Sequence, residues 1–131
     1  MFDDSAPIFA QISEQLADGI ADGSLAEGER VPSSNELAVF HRINPATAAK
    51  GVATLVEVGL LEKRRGVGMF VVCGAREKVL QARRAEFDKN YVEPLVAEAS
   101  RIGISIELLT TMITRAGSGV SNHHHDRGGT L

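Results

Sequence analysis

Lys63, Arg64 and Arg65 stand together in LEKRRGVGMFVV, residues 61–72, and are followed at once by Gly66-Val67-Gly68 and the apolar run Met69 to Val72. Glycine tolerates the positive φ angles that tight hairpin turns demand, so the stretch predicts two short strands with three cations at the mouth of the turn. Such a tip offers charged donors to anionic oxygens, phosphate above all. A nucleotide-binding glycine loop is excluded, because the third glycine is missing and a strand follows where a helix must open.

A second group of polar residues lies just upstream. Ser33 precedes Glu36 by three residues, the spacing of a capping box that opens a helix over about residues 34–41. Asn44 suits an N-cap and Pro45 the first helical position, where its missing N–H has no partner to lose; this helix should run to about Val58, with Gly59 ending it. At 100° per residue Ala48, Val52 and Leu55 fall on one side, and Ala46, Lys50, Ala53 and Glu57 on the other. No hydrolytic constellation is visible: His41 stands alone at a helix end and Ser33 has no base beside it. His123, His124 and His125 with Asp126 can chelate zinc or nickel, but consecutive ligands on a floppy tail bind weakly and without selectivity, so neither a metal site nor a cofactor is expected. Cys73, the single cysteine, allows no internal disulfide.

The net charge of −3 over 131 residues argues against a polyanionic partner until it is divided along the chain. Residues 1–40 carry −7, residues 41–75 carry +3 and the remainder +1. A local basic stretch on an acidic chain points to a directed electrostatic contact. The length suits one domain, or a small domain with an appendage. No apolar run is long enough to span a bilayer and the N-terminus lacks the regions of a signal peptide, so a cytoplasmic protein with no membrane contact is expected.

The elements that must position these residues follow from periodicity. Ile8, Ile12, Leu16 and Ile20 recur every four residues in a first helix, and Gly23 and Gly28 break the pattern before the extended Val31-Pro32 step. The tight His41-Arg42-Ile43-Asn44 joint makes the second and third helices cross steeply, a helix-turn-helix whose second member presents its N-terminal residues to a major groove. The basic hairpin follows as a wing able to lie along a phosphate backbone or enter the minor groove. From Arg76 a helical segment places Leu80, Phe87, Tyr91 and Leu95 on one stripe, with a kink expected at Pro94. Gly103 stops it, Ser105 caps a last helix, and Leu109, Met112 and Ile113 give that helix an apolar face. Two amphipathic helices cannot bury both faces alone, and a second copy of the chain is the expected cover. A disordered tail is expected beyond Gly117.

From Pro7 to Val72 the sequence resembles the winged helix-turn-helix domain of the GntR family of bacterial transcriptional regulators. The marks are the Pro-Ile-Phe opening, Gly-Glu-Arg-Val-Pro-Ser, Glu-Leu-Ala, Asn-Pro-x-Thr and Arg-Arg-Gly-x-Gly-x-Phe-Val. The short C-terminal segment with SRIGISIELLTTMI is similar to the YtrA subfamily, whose small C-terminal region serves in dimerisation. The resemblance implies that Thr47 and Lys50 face DNA, that Ser33 and Ser34 lie near phosphate, and that Arg64, Arg65, Gly66 and Gly68 belong to the wing beside Lys63. Asn35 stands where the family usually has arginine and Ala46 where the subfamily often has a polar residue; with Asn44 they complete the expected DNA-facing set. Asn35 keeps hydrogen-bonding capacity without charge, and Ala46 offers only apolar contact, for instance to a thymine methyl.

The expected protein is mostly α with a small β-hairpin: a winged helix-turn-helix domain over residues 1–74, a two-helix dimerisation region over 75–117 and a tail over 118–131. Its expected function is that of a dimeric repressor on a palindromic duplex operator, without enzymatic activity. Leu80, Phe87, Tyr91, Leu95, Leu109, Met112 and Ile113 would line the dimer interface or a cleft for a small-molecule effector. The rival is a winged helix that binds RNA or a protein partner. A steep salt dependence on duplex DNA separates the protein-binding alternative, and competition by structured RNA the other.

Overall fold

Ile12, Leu16 and Ile20, one turn apart on the first helix, are all buried, and the rest of the N-terminal unit is assembled around them. The computed structural model describes residues 2–128, with side chains through Val120. Its elements are α1 (Ile8–Asp22), β1 (Arg30–Val31), α2 (Ser34–His41), α3 (Pro45–Glu57), β2 (Leu61–Arg64), β3 (Gly68–Val71) and α4 (Ala75–Phe87), then a π-helical turn (Asp88–Val92), α5 (Glu93–Arg101) and α6 (Ile106–Gly128). They form two compact units, Met1–Arg84 and Ala85–Leu131.

In the first unit α3 packs against both α1 and α2. Its inward residues Ala48, Val52 and Leu55 are buried, while Ala46, Lys50, Ala53 and Glu57 are exposed, as the helical period requires. The closest approach is at Gly51. A Cβ there would stand 2.8 Å from the Phe9 carbonyl oxygen and 2.9 Å from Ile12 Cγ2. The space is used by a hydrogen bond: the Ser13 hydroxyl donates to the Gly51 carbonyl at 2.7 Å.

The sheet is antiparallel with strand order β1-β3-β2, and so contains one strand more than the predicted hairpin. Arg30 pairs with Phe70 and Val31 with Met69, while Leu61 faces Val71 and Arg64 faces Gly68. Two residues are too short a run for alternation to reveal, so β1 exists only because the β3 edge is there to pair with it. Val31, Leu61 and Val71 point into the core. Gly66, at φ 75°, supplies the left-handed residue of the turn between β2 and β3.

The first unit extends past Gly74, where the sequence suggests a boundary, because Ala75 and Val79 of α4 are buried in the same core. Among the described residues of the second unit, Ala99 and Leu109 are buried, the Ile104 N–H reaches the Ala99 carbonyl at 2.8 Å, and Ser105 Oγ accepts from the Leu108 N–H as the expected cap. At Pro94 the chain answers the missing N–H with a wider turn: the Glu93 N–H reaches back five residues to the Asp88 carbonyl. The helical backbone of α6 continues beyond Gly117 to Gly128. The side chains of His123, His124 and His125 lie outside the described residues.

Gly51→Ala should destabilise the protein by roughly 1 to 3 kcal/mol, since the added methyl must separate α1 from α3 or distort Ile12. Urea unfolding should show a lower midpoint with unchanged slope. An unaltered midpoint would mean that the two helices can spread at no cost.

Candidate nucleic-acid interface

Each helix of the helix-turn-helix begins with a side-chain cap, and those caps decide which polar groups remain for a ligand. At α2 the Ser33 hydroxyl oxygen accepts from the Glu36 N–H at 3.0 Å, and a Glu36 carboxylate oxygen accepts from the Ser33 N–H at 2.7 Å. The Ser33 hydroxyl is thus engaged with Glu36 within the cap, and half-buried Ser34 opens the first turn, where helical N–H groups point outward. The Ser33 N–H, then the Ser33 hydroxyl and the Arg30 charge, hold the Glu36 carboxyl below its ordinary value. The box is therefore intact at neutral pH and is lost only as pH falls through that lowered value. Asn35 is exposed beside it.

At α3 the Asn44 side-chain oxygen accepts from the Ala46 N–H at 2.7 Å, leaving its amide hydrogens to donate outward. Ala46 is exposed and Thr47 half-buried on this first turn. Lys50, one turn further on, is exposed, but its ammonium lies 4.1 Å from the centre of the Phe9 ring on α1. Lys50 is thus held to one side by a cation–π contact, worth about 0.5 to 1 kcal/mol where water has access.

The wing's three cations differ in what they touch. Arg64 pairs with Glu62 at 3.0 Å and stacks over the Phe70 ring at 4.0 Å. The register explains this: Glu62 faces Phe70 and Arg64 faces Gly68, so all four share one face of the sheet. Lys63 and Arg65 are exposed and have no ion-pair partner among the described residues. Gly66 is exposed at the tip and Gly68 starts the returning strand.

Two arginines escaped the sequence reading. Arg30 lies across the sheet, its Nε 3.4 Å from the Val67 carbonyl and its guanidinium 3.8 Å from Glu36, and so links the wing turn to the α2 cap. The exposed Arg42 ends α2 at φ 57° and is the only non-glycine with positive φ among the described residues. An arginine in that conformation is unusual, and no local signal marks it. The Ile43 N–H closes the turn on the Ala38 carbonyl at 3.0 Å, which sets α3 directly against α2.

The apolar residues expected at an interface are spread differently. Leu80 is half-buried in the first unit; Phe87, Tyr91, Leu95 and Ile113 are exposed, and the Phe87 and Tyr91 rings meet at 5.3 Å. Met112 is half-buried and Leu109 is buried.

A capped helix pair followed by a cationic wing is what the sequence comparison also recovers, for residues 9–71 match bacterial regulatory proteins of the gntR family. Residues 9–71 are a GntR-family domain. The chain is a DNA-binding transcriptional regulator with a winged helix-turn-helix and a C-terminal helical region. Over 105 residues, 80% of each chain, it is 29% identical to the HTH-type transcriptional repressor YtrA of Bacillus subtilis. A GntR family transcriptional regulator from Listeria monocytogenes superposes with a TM-score of 0.65 at 27% identity, covering 87% of this chain and 98% of that one. The DNA-binding domain of AraR, solved in complex with operator ORR3, is 29% identical with a TM-score of 0.51, covering 55% of this chain and 87% of its own. The GntR family consists of regulatory proteins rather than enzymes, and no described helix of this regulator is long and apolar enough to cross a membrane.

The differing surroundings of the wing cations predict unequal effects on DNA binding. Lys63→Ala and Arg65→Ala should each reduce the log–log salt slope of duplex binding by about one unit, and Arg64→Ala by less, because Glu62 already shares its charge. Titrations at several salt concentrations check this, and equal slopes for all three variants would contradict the assignment.

Proposed function

We propose that the regulator is a homodimeric repressor in which each protomer sets the first turn of α3 into the major groove of one half of a palindromic operator. The observation that carries this reading is the pair of adjacent capped helix starts, the second with its Asn44 amide hydrogens left to donate, followed in sequence by a wing whose Lys63 and Arg65 are unpaired among the described residues. Ser33, Ser34 and the wing would hold phosphates, which position the protein without reading sequence. Asn44, Ala46 and Thr47 would meet base edges, with Asn35 at the flank and Lys50 swinging off Phe9 to join them. The operator complex of the AraR DNA-binding domain supports this mode of use, and the name of the YtrA protein supports repression.

The dimer is supported by what the second unit leaves in water. Phe87, Tyr91, Leu95, Ile102, Ile106, Leu108 and Ile113 are all exposed on a unit of under 50 residues. Large apolar side chains at that density mark an association surface. A small-molecule effector, where one exists, would act by changing how this surface packs.

Two measurements test the reading. Light scattering at micromolar concentration should give twice the mass of the chain, and the mass of one chain would overturn the dimer. On a duplex selected from a random pool, Thr47→Ala should cost about 1 to 3 kcal/mol, with a smaller loss on unselected DNA. Equal losses on both would mean that this face of α3 does not read bases.

A further inference from the structure

Although α4 begins the segment that follows the wing, its first turns are built into the DNA-reading unit. Ala75 and Val79 are buried in that unit's core. The Glu27 carboxylate accepts from the Arg76 N–H at 3.1 Å, and Arg76 Nε donates to the Ala21 carbonyl, at the end of α1, at 2.8 Å. Beyond Val79 no residue of α4 is fully buried, and Arg83 takes over as the tie. One guanidinium nitrogen lies 2.9 Å from Glu14 and the other 2.7 Å from Asp18. Those two acids are one turn apart on α1 and so face the same way. The Arg83 side chain keeps only 32% of its surface in water.

Arg76 and Arg83 are separated by about 10 Å along the helix axis. Ala75, Arg76 and Val79 hold the first turns of α4, and the fork at Arg83 is what restrains the helix farther along, where it leaves the unit. The helix they are tied to, α1, is the one that carries α3 through the Gly51 crossing. From Arg83 the helix runs on to Phe87, past the end of the first unit at Arg84.

We propose that Arg83, forked between Glu14 and Asp18, is a positioning residue that fixes the direction in which α4 leaves the DNA-reading unit, and thereby the half-site spacing that the dimer accepts. This rests on the dimeric reading above. Because B-DNA repeats in about 10 to 10.5 base pairs, one added base pair rotates a half-site by about 35°. A braced α4 cannot follow that rotation, and an unbraced one can.

The test uses the full chain, a palindrome that the wild type enriches from random duplexes, versions of it with one or two base pairs added or removed between the half-sites, and a single half-site duplex. Wild type should favour the palindrome over the half-site by about 100-fold or more and lose most of that advantage on respacing. Arg83→Asp should bind the best palindrome about tenfold more weakly, discriminate among spacings by only about threefold, and leave half-site affinity unchanged. Combining Arg83→Asp with Asp18→Arg rebuilds the pair with reversed charges and should restore the spacing profile. A wild-type spacing profile in Arg83→Asp overturns the proposal, as does a half-site loss equal to the palindrome loss, which would make Arg83 a general stabiliser. Failure of the charge-reversed pair to restore the profile also overturns it. If wild type itself does not distinguish palindrome from half-site, the dimeric reading fails first and takes this proposal with it.

Discussion

The placement of α3 depends on one contact, its crossing with α1 at Gly51. With no side chain on α3 at that point, the helix backbone comes against Phe9 and Ile12, and the Ser13 hydroxyl closes the remaining gap on the Gly51 carbonyl. A close crossing of this kind does two things at once. It buries Ala48, Val52 and Leu55 deeply enough to make the core, and it fixes the rotation of α3 about its own axis, which decides that Ala46 and Lys50 face outward. Packed interiors transmit small displacements, so a shift at Gly51 is felt at the first turn of α3.

Charge is distributed to match this architecture. The acids of α1 lie on its wet side, where Glu14 and Asp18 meet Arg83, and another acid, Glu27, receives the start of α4. Much of the regulator's positive charge is consequently engaged within the fold: Arg30 by Glu36, Arg64 by Glu62 and Phe70, Lys50 by Phe9. Exposed pairs of this sort add little to stability, commonly under about 1 kcal/mol each. Their effect is on orientation. They hold long, flexible side chains in defined positions, and a side chain already restrained loses less entropy when a ligand binds it.

The second unit is organised by a shortage of core. Ala99 and Leu109 are its only buried apolar residues among those described, against many exposed large ones. On α6 Leu109 is buried whereas Ile113 is exposed, and on the preceding segment Leu80 is half-buried whereas Phe87, Tyr91 and Leu95 are exposed, so each apolar face read from the sequence is only partly covered. Periodicity identifies an apolar face but not what covers it.

What the amino-acid sequence alone determined is local. The caps at Ser33, Asn44 and Ser105 and the turn at Gly66 are encoded within four or five residues, because helix ends and tight turns satisfy their own hydrogen bonds with near neighbours, and the buried phase of α1 and α3 follows from periodicity within each helix. Only the tertiary structure decided what joins distant segments: the pairing of Arg30-Val31 with β3, the contact of Gly51 with α1, the left-handed Arg42, the capture of Lys50 by Phe9, and the tie between Arg83 and α1. Each depends on chain closure across tens of residues, or on strain held by such closure, and no short pattern carries that information. The same division separates the polar groups that sequence could nominate for DNA from the geometry that determines which of them are free to reach it.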